Sequence, residues 1–124
     1  MSTISELQKQ IHENAKNKGF WDAPFNMGEK LALIHGEVSE ALEADRKGEY
    51  FIFKTTENLK DELNQEEWNV WFKNFVKDSW QDEMADAVIK ILDLCEYKGV
   101  DLEWHIKAKM RYNATRPHMH GKKY

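Results

Sequence analysis

Apolar residues recur along this chain at spacings of three and four, the period of an amphipathic helix. Ile4, Leu7, Ile11 and Ala15 form a first stripe. Thr3-x-x-Glu6 has capping-box spacing ahead of it and Gly19 lies behind, so the pattern predicts a helix from Thr3 to Gly19. Met27, Leu31, Ile34, Val38, Ala41 and Leu42 predict a second helix over about Met27 to Lys47, stopped by Gly48. Trp68, Trp71, Phe72, Phe75 and Val76 predict a third, at about Gln65 to Lys77. Met84, Ala87, Val88, Ile91 and Cys95 predict a fourth, from about Trp80 to Lys98, with Ser79 as its cap and Gly99 as its end. Asp101 caps a last helix running to about Thr115, where Pro117 forbids continuation and biases Arg116 away from helix. No segment alternates at period two, so the expected class is all-α, a bundle of four to five helices. Two stretches resist this pattern. Residues 19–26 place Phe20, Trp21 and Phe25 in a loop, although loops normally run over the surface. Tyr50-Phe51-Ile52-Phe53 opens an aromatic-rich insert at about 49–80 and fits either a short extended piece or a collapsed turn.

A length of 124 residues predicts a single domain, 1–124, with a modest core for its surface. Hydrophobic residues at 41% and charged residues at 32% describe a globular chain and exclude a disordered one. Aromatics reach 12%, with five tryptophans, more than so small a core absorbs, so an interface or a ligand is expected to use some of them. A net charge of -4 offers no global basic field for nucleic acid. No stretch approaches the ~20 apolar residues of a membrane span, which leaves the cytoplasm as the expected location. The charge is uneven, however. Lys107, Lys109, Arg111, Arg116, Lys122 and Lys123 all follow Glu103, the last carboxylate side chain. An acidic body with a basic end suits an anionic ligand. Cys95, the single cysteine, excludes an internal disulfide and any CxxC zinc pattern.

The candidate chemistry lies in carboxylates. Glu37 and Glu40 are three apart on the second helix, and Glu83 and Asp86 are three apart on the fourth. Residues at i and i+3 lie side by side, so each pair projects two carboxylates in one direction beside its apolar stripe. If the stripes pack antiparallel, four carboxylates converge and repel unless neutralised. Hard divalent cations answer that need, Mg²⁺ or Mn²⁺ rather than zinc. The competing reading is a solvated helical face, since Glu40-x-x-Glu43 matches as well. A di-iron bundle needs Glu-x-x-His, and no glutamate here has histidine three residues on. Neither GxxxxGK[ST] nor GxGxxG occurs. Lys109, Asn113 and Arg116 share one face of the last helix with Leu102 and Ile106, which aims a cation, an amide and a guanidinium where that helix meets the body; a basic helix end complementing the dipole is the plainer account.

At these residues the chain resembles a known family. Glu37-Val-Ser-Glu40, followed by Glu83-Met-Ala-Asp86, is similar to the ExxE…ExxD signature of the MazG-like, all-α nucleoside triphosphate pyrophosphohydrolases. Lys109, Asn113, Arg116-Pro117 and His120-Gly121-Lys122 resemble the ending of some members. The resemblance runs from about residue 27 to the C-terminus and departs from the family at the 49–80 insert. It implies antiparallel metal-binding helices in a homodimer or homotetramer that cleaves a nucleoside triphosphate to monophosphate and pyrophosphate. Glu37, Glu40, Glu83 and Asp86 would then hold Mg²⁺, with Mn²⁺ able to substitute. Glu40, or Glu37, would also orient or deprotonate the attacking water. Lys109, Asn113, Arg116, Lys122 and Lys30 would face the substrate. Trp21 would stack the base, with Phe25 beside it and Trp68, Trp71 and Trp80 behind; for the helical tryptophans core packing is the stronger reading. Two other functions remain open on the sequence: a non-catalytic interaction module, and a phosphohydrolase of another nucleotide such as an alarmone or nucleotide-sugar.

Overall fold

The computed structural model describes residues 2–52 and 62–124. Among the described residues there are five α-helices and no strand. They are α1 (Ile4–Asn17), α2 (Met27–Arg46), α3 (Gln65–Phe75), α4 (Trp80–Tyr97) and α5 (Leu102–Ala114), followed by a short 3₁₀ turn at His118–Gly121. Each predicted helix is found within two residues of its expected ends. Tyr50 to Ile52 carry no regular structure, and Phe53 lies outside the described residues, as do residues 54–61 of the insert. No helix among the described residues is long and apolar enough to cross a membrane.

Side chains set the helix starts. Thr3 accepts from Glu6 N at 3.1 Å, one half of the expected box, and the next amide, Ile4 N, is satisfied from afar by Glu103 Oε1 at 3.0 Å. Asn26 caps α2, Ser79 accepts from Asp82 N at the start of α4, and Asp101 accepts from Trp104 N. Asn64 and Glu67 form a full capping box on α3. Gly48 and Gly99 follow the ends of α2 and α4 at φ of +71° and +69°, a conformation that costs glycine nothing.

The chain forms two compact units. One comprises Met1–Pro24 with Ile91–Tyr124, the other Phe25–Lys90. In the first, Gln8 Nε2 donates to Glu96 Oε1 and to the Val100 carbonyl, while His12 Nδ1 lies 2.7 Å from Asp93 Oδ1. Residue numbers rise on α1 as they fall on α4, so these segments run antiparallel. Leu92 and Leu94 are buried there.

In the second unit Ala41 and Ala44 on α2 and Ala87 on α4 are buried, together with Ser79, Phe51 and Glu83. The chain leaving α2 is clasped to the first turn of α4. Gln81 donates to the Phe51 carbonyl at 2.7 Å and accepts from Phe51 N at 3.0 Å, and Trp80 N donates to the Glu49 carbonyl at 2.7 Å. The expected α2 stripe divides. Ala41 is buried and Ile34 half-buried, but Met27, Leu31, Val38 and Leu42 are exposed.

Candidate metal centre

α2 and α4 bring the predicted carboxylates together. Glu37, Glu83 and Asp86 each present an oxygen within 4.8 Å of the other two. Glu40 lies against both Glu83 and Glu37, where its carboxyl raises the pKa of each neighbour. Glu37 faces Asp86 and Lys90 while Glu40 faces Glu83, so the two helices run antiparallel here, the arrangement under which the two pairs were expected to converge. Alanines at the buried positions of both helices remove bulk that would hold the backbones apart.

Burial distinguishes these four acids. Glu83 is 6% exposed, Glu37 and Asp86 are half-buried, and Glu40 is exposed. Glu83 Oε2 is buried without a hydrogen-bond partner among the described residues. An unpartnered buried carboxylate oxygen is costly, because desolvation is not offset by a donor. Burial first, and then the Glu40 carboxyl and the charges of Asp86 and Glu37, push the Glu83 carboxyl up to about 7. Glu37 is raised by burial and by Glu40, with Asp86 adding to it. Asp86 is raised by burial and by Asp82. Lys90 opposes both shifts, its Nζ standing 3.7 Å from Glu37 Oε1.

The arrangement fits a hard divalent cation. All the oxygens on offer belong to carboxylates, no histidine or cysteine joins the cluster among the described residues, and Glu83 Oε2 has no hydrogen-bond partner among them. Beside it lies a small cavity of about 170 Å³ lined by Glu40, Glu43, Lys47 and Glu83 among others.

Of the remaining candidates, Lys109, Asn113, Arg116, Lys122 and Trp21 belong to the first unit, whereas Lys30, half-buried on α2, belongs to the second with Phe25, Trp68, Trp71 and Trp80. Asn113 and Arg116 are joined by a 3.5 Å hydrogen bond from guanidinium to amide oxygen. Lys109 Nζ and the Arg116 guanidinium lie 5.3 and 5.4 Å from the Tyr112 ring centre, so the predicted cations gather around one aromatic ring. Arg116 also donates to the His120 carbonyl at 3.5 Å. Lys122 is exposed just after the 3₁₀ turn, in which Met119 and His120 adopt φ of 52° and 55°. Trp21 stacks on Tyr97 at 4.2 Å between ring centres, and its Nε1 donates to both oxygens of Asp93 at 3.0 and 3.1 Å.

Sequence reasoning missed Asp93 and Tyr97 as partners of Trp21. It also missed Lys90 as the cation at the carboxylate cluster, although Lys90 lies four residues after Asp86 and the two therefore share a face of α4. Comparison with protein-family models, curated proteins and solved structures finds no match to this chain.

Proposed function

We propose that this protein is a magnesium-dependent nucleoside triphosphate pyrophosphohydrolase of the MazG-like type, converting a ribo- or deoxyribonucleoside triphosphate and water to the monophosphate and pyrophosphate. The observation that carries the reading is the convergence of carboxylate oxygens of Glu37, Glu83 and Asp86 within 4.8 Å of one another, at a buried glutamate whose Oε2 has no hydrogen-bond partner among the described residues. The order of ExxE, ExxD and the Lys109–Asn113–Arg116 ending supports it.

Glu37, Glu83 and Asp86 would hold Mg²⁺, with Glu40 as the fourth carboxylate and Mn²⁺ as a substitute. The ion would supply neutralisation of phosphate charge and activation of a water, which is most of what phosphoryl chemistry asks of a protein. Glu40 is exposed next to this buried set, and its role is to accept the proton of the attacking water. Lys90 balances Glu37 when no cation is bound. Lys109, Asn113 and Arg116, with Lys122 and Lys30, are the proposed ligands of the phosphates and sugar. Their grouping around Tyr112 supports a shared task for Lys109 and Arg116. Trp21 already has one ring face on Tyr97, which makes it a weaker base platform than its loop position suggested. The functional unit is proposed to be a homo-oligomer, because apolar residues of α2 and α4 stand exposed on a single chain.

The deciding experiment is pyrophosphate release from a panel of nucleoside triphosphates with Mg²⁺ and with EDTA. Magnesium-dependent release that disappears in Glu37→Gln and Asp86→Asn supports the reading. Turnover that survives both variants at limiting Mg²⁺, or no release from any triphosphate, overturns it.

A further inference from the structure

The densest aromatic group in the second unit is not a sealed core. Phe51, Trp68, Trp71 and Phe72 line a cavity of about 210 Å³ whose opposite wall is the first turns of α4, at Asp82 and Ala85. Their rings meet edge-on or tilted: Phe51 and Trp71 at 5.8 Å and 90°, Trp68 and Trp71 at 5.2 Å and 39°. Such walls leave ring faces for a flat guest.

Two polar groups at this cavity are unspent. Trp71 buries its indole N–H without an acceptor among the described residues. Leaving a buried donor unmade costs about 1–3 kcal/mol; the N–H is closed off from the cavity as the side chain stands, and a guest with a ring lone pair or carbonyl relieves that cost once the indole turns toward it. Asp82 accepts from Asp78 N through Oδ2 at 2.9 Å, while Oδ1 carries no hydrogen bond among the described residues. The wall therefore combines stacking faces and an anionic acceptor, with an unmet donor buried in one of its rings.

The cavity also adjoins the carboxylate cluster. Asp82 and Asp86 are one turn apart on the same face of α4, about 6 Å along the helix axis. That is the span of a sugar between a base and its first phosphate. We propose that this cavity holds the nucleobase of the substrate, with Trp68 and Trp71 stacking the ring and Asp82 accepting from an exocyclic amine. Its identity as a nucleobase site rests on the triphosphate reading; its fit to a flat, amine-bearing heterocycle does not. Cytosine, adenine and guanine present such an amine. Thymine and uracil set their imide N–H between two carbonyl oxygens, which places like charge against Asp82 and disfavours them.

Asp82→Asn gives a sharp test. The amide oxygen is needed by Asp78 N, so the substituted NH₂ turns a donor toward the cavity, and the preference should invert toward thymine. Ligand-observed NMR on the metal-free protein with deoxycytidine, deoxyadenosine and thymidine reads base contact without phosphate or catalysis. Saturation transfer to base protons is expected, at least threefold weaker for thymidine. Trp71→Phe, which removes the N–H and narrows the stacking face, should weaken it several-fold, and Asp82→Asn should reverse the order. No transfer to base protons, equal transfer from thymidine, or an unchanged order in Asp82→Asn overturns the proposal. Magnesium-dependent hydrolysis of the triphosphates is measured separately. Hydrolysis with no base binding sinks this site and keeps the enzyme. Base binding with no hydrolysis keeps this site and sinks the enzyme.

Discussion

Lys90 holds its ammonium 3.7 Å from the Glu37 carboxylate, a cation set against the cluster that is proposed to take one from solution. Its side chain is 38% exposed, so solvent screens the pair and its worth to stability is small, below about 1 kcal/mol. Its effect on a bound divalent ion should be larger, because like charges share the same oxygens. Lys90→Gln is expected to tighten Mn²⁺ binding several-fold by calorimetry, with little change in Tm. Weaker binding would show that Lys90 orders the carboxylates rather than competing with the ion.

The buried carboxyl of Glu83 makes stability depend on pH with a definite sign. Folded, it titrates at about 7; its ordinary value is 4.5. Between those values the folded protein holds a proton that the unfolded chain has released, so stability falls as pH rises through this window. Glu37 and Asp86 are raised as well and act in the same direction. In EDTA, Tm should drop by on the order of 5 °C between pH 5 and pH 7.5. Glu83→Gln should remove most of that drop and raise Tm at pH 7.5. Saturating Mg²⁺ should restore the wild type at pH 7.5 and leave Glu83→Gln unmoved. A Tm that rises steadily over this range in EDTA would show that the cluster is not strained by its own charge.

Asp93 joins two parts of the first unit, with His12 at 2.7 Å and the Trp21 indole N–H at 3.0 and 3.1 Å. His12 also meets Trp21 and Tyr97 edge-on, at 5.4 and 6.0 Å. Asp93→Ala removes an acceptor that both residues share, at a cost of about 1–3 kcal/mol. The expected result is a Tm lower by roughly 5–15 °C, with Mn²⁺ affinity within twofold of wild type. A large loss of metal affinity at unchanged Tm would assign Asp93 to the chemistry instead of to the fold.

The helices were legible because capping residues, glycine stops and apolar periodicity all act within a few residues of chain. Each carboxylate pair was legible for the same reason: i, i+3 spacing fixes which side chains share a face, and once α2 and α4 pack antiparallel Glu37, Glu83 and Asp86 meet. What escaped depends on partners distant in sequence. Glu103 supplies the first turn of α1 from 99 residues away, and Gln81 clasps Phe51 from 30 away. Neither leaves a local pattern, since a glutamate that caps a remote helix looks like any exposed glutamate. The periodicity of α2 located an apolar face correctly but not its covering, because period reports direction and not what lies opposite.

That uncovered face carries the last prediction. Met27, Leu31, Val38 and Leu42 are between 42% and 51% exposed, and a repeat of 3.6 residues places all four within an arc of about 60°. Met84 and Val88, one turn apart on α4, are 38% and 50% exposed. On α2 this stripe borders buried Ala41, and on α4 it borders buried Ala87. A surface helix of a monomer would carry polar side chains there. A second copy presenting the same stripe would cover it by two-fold symmetry and bury the apolar surface of both. Light scattering at about 10 µM should therefore report at least twice the chain mass. The double variant Leu31→Lys/Val38→Lys should dissociate it, because paired copies would place four ammonium groups in one apolar contact. A monomeric wild type at that concentration, or a double variant that stays associated, would show that the stripe is not the contact.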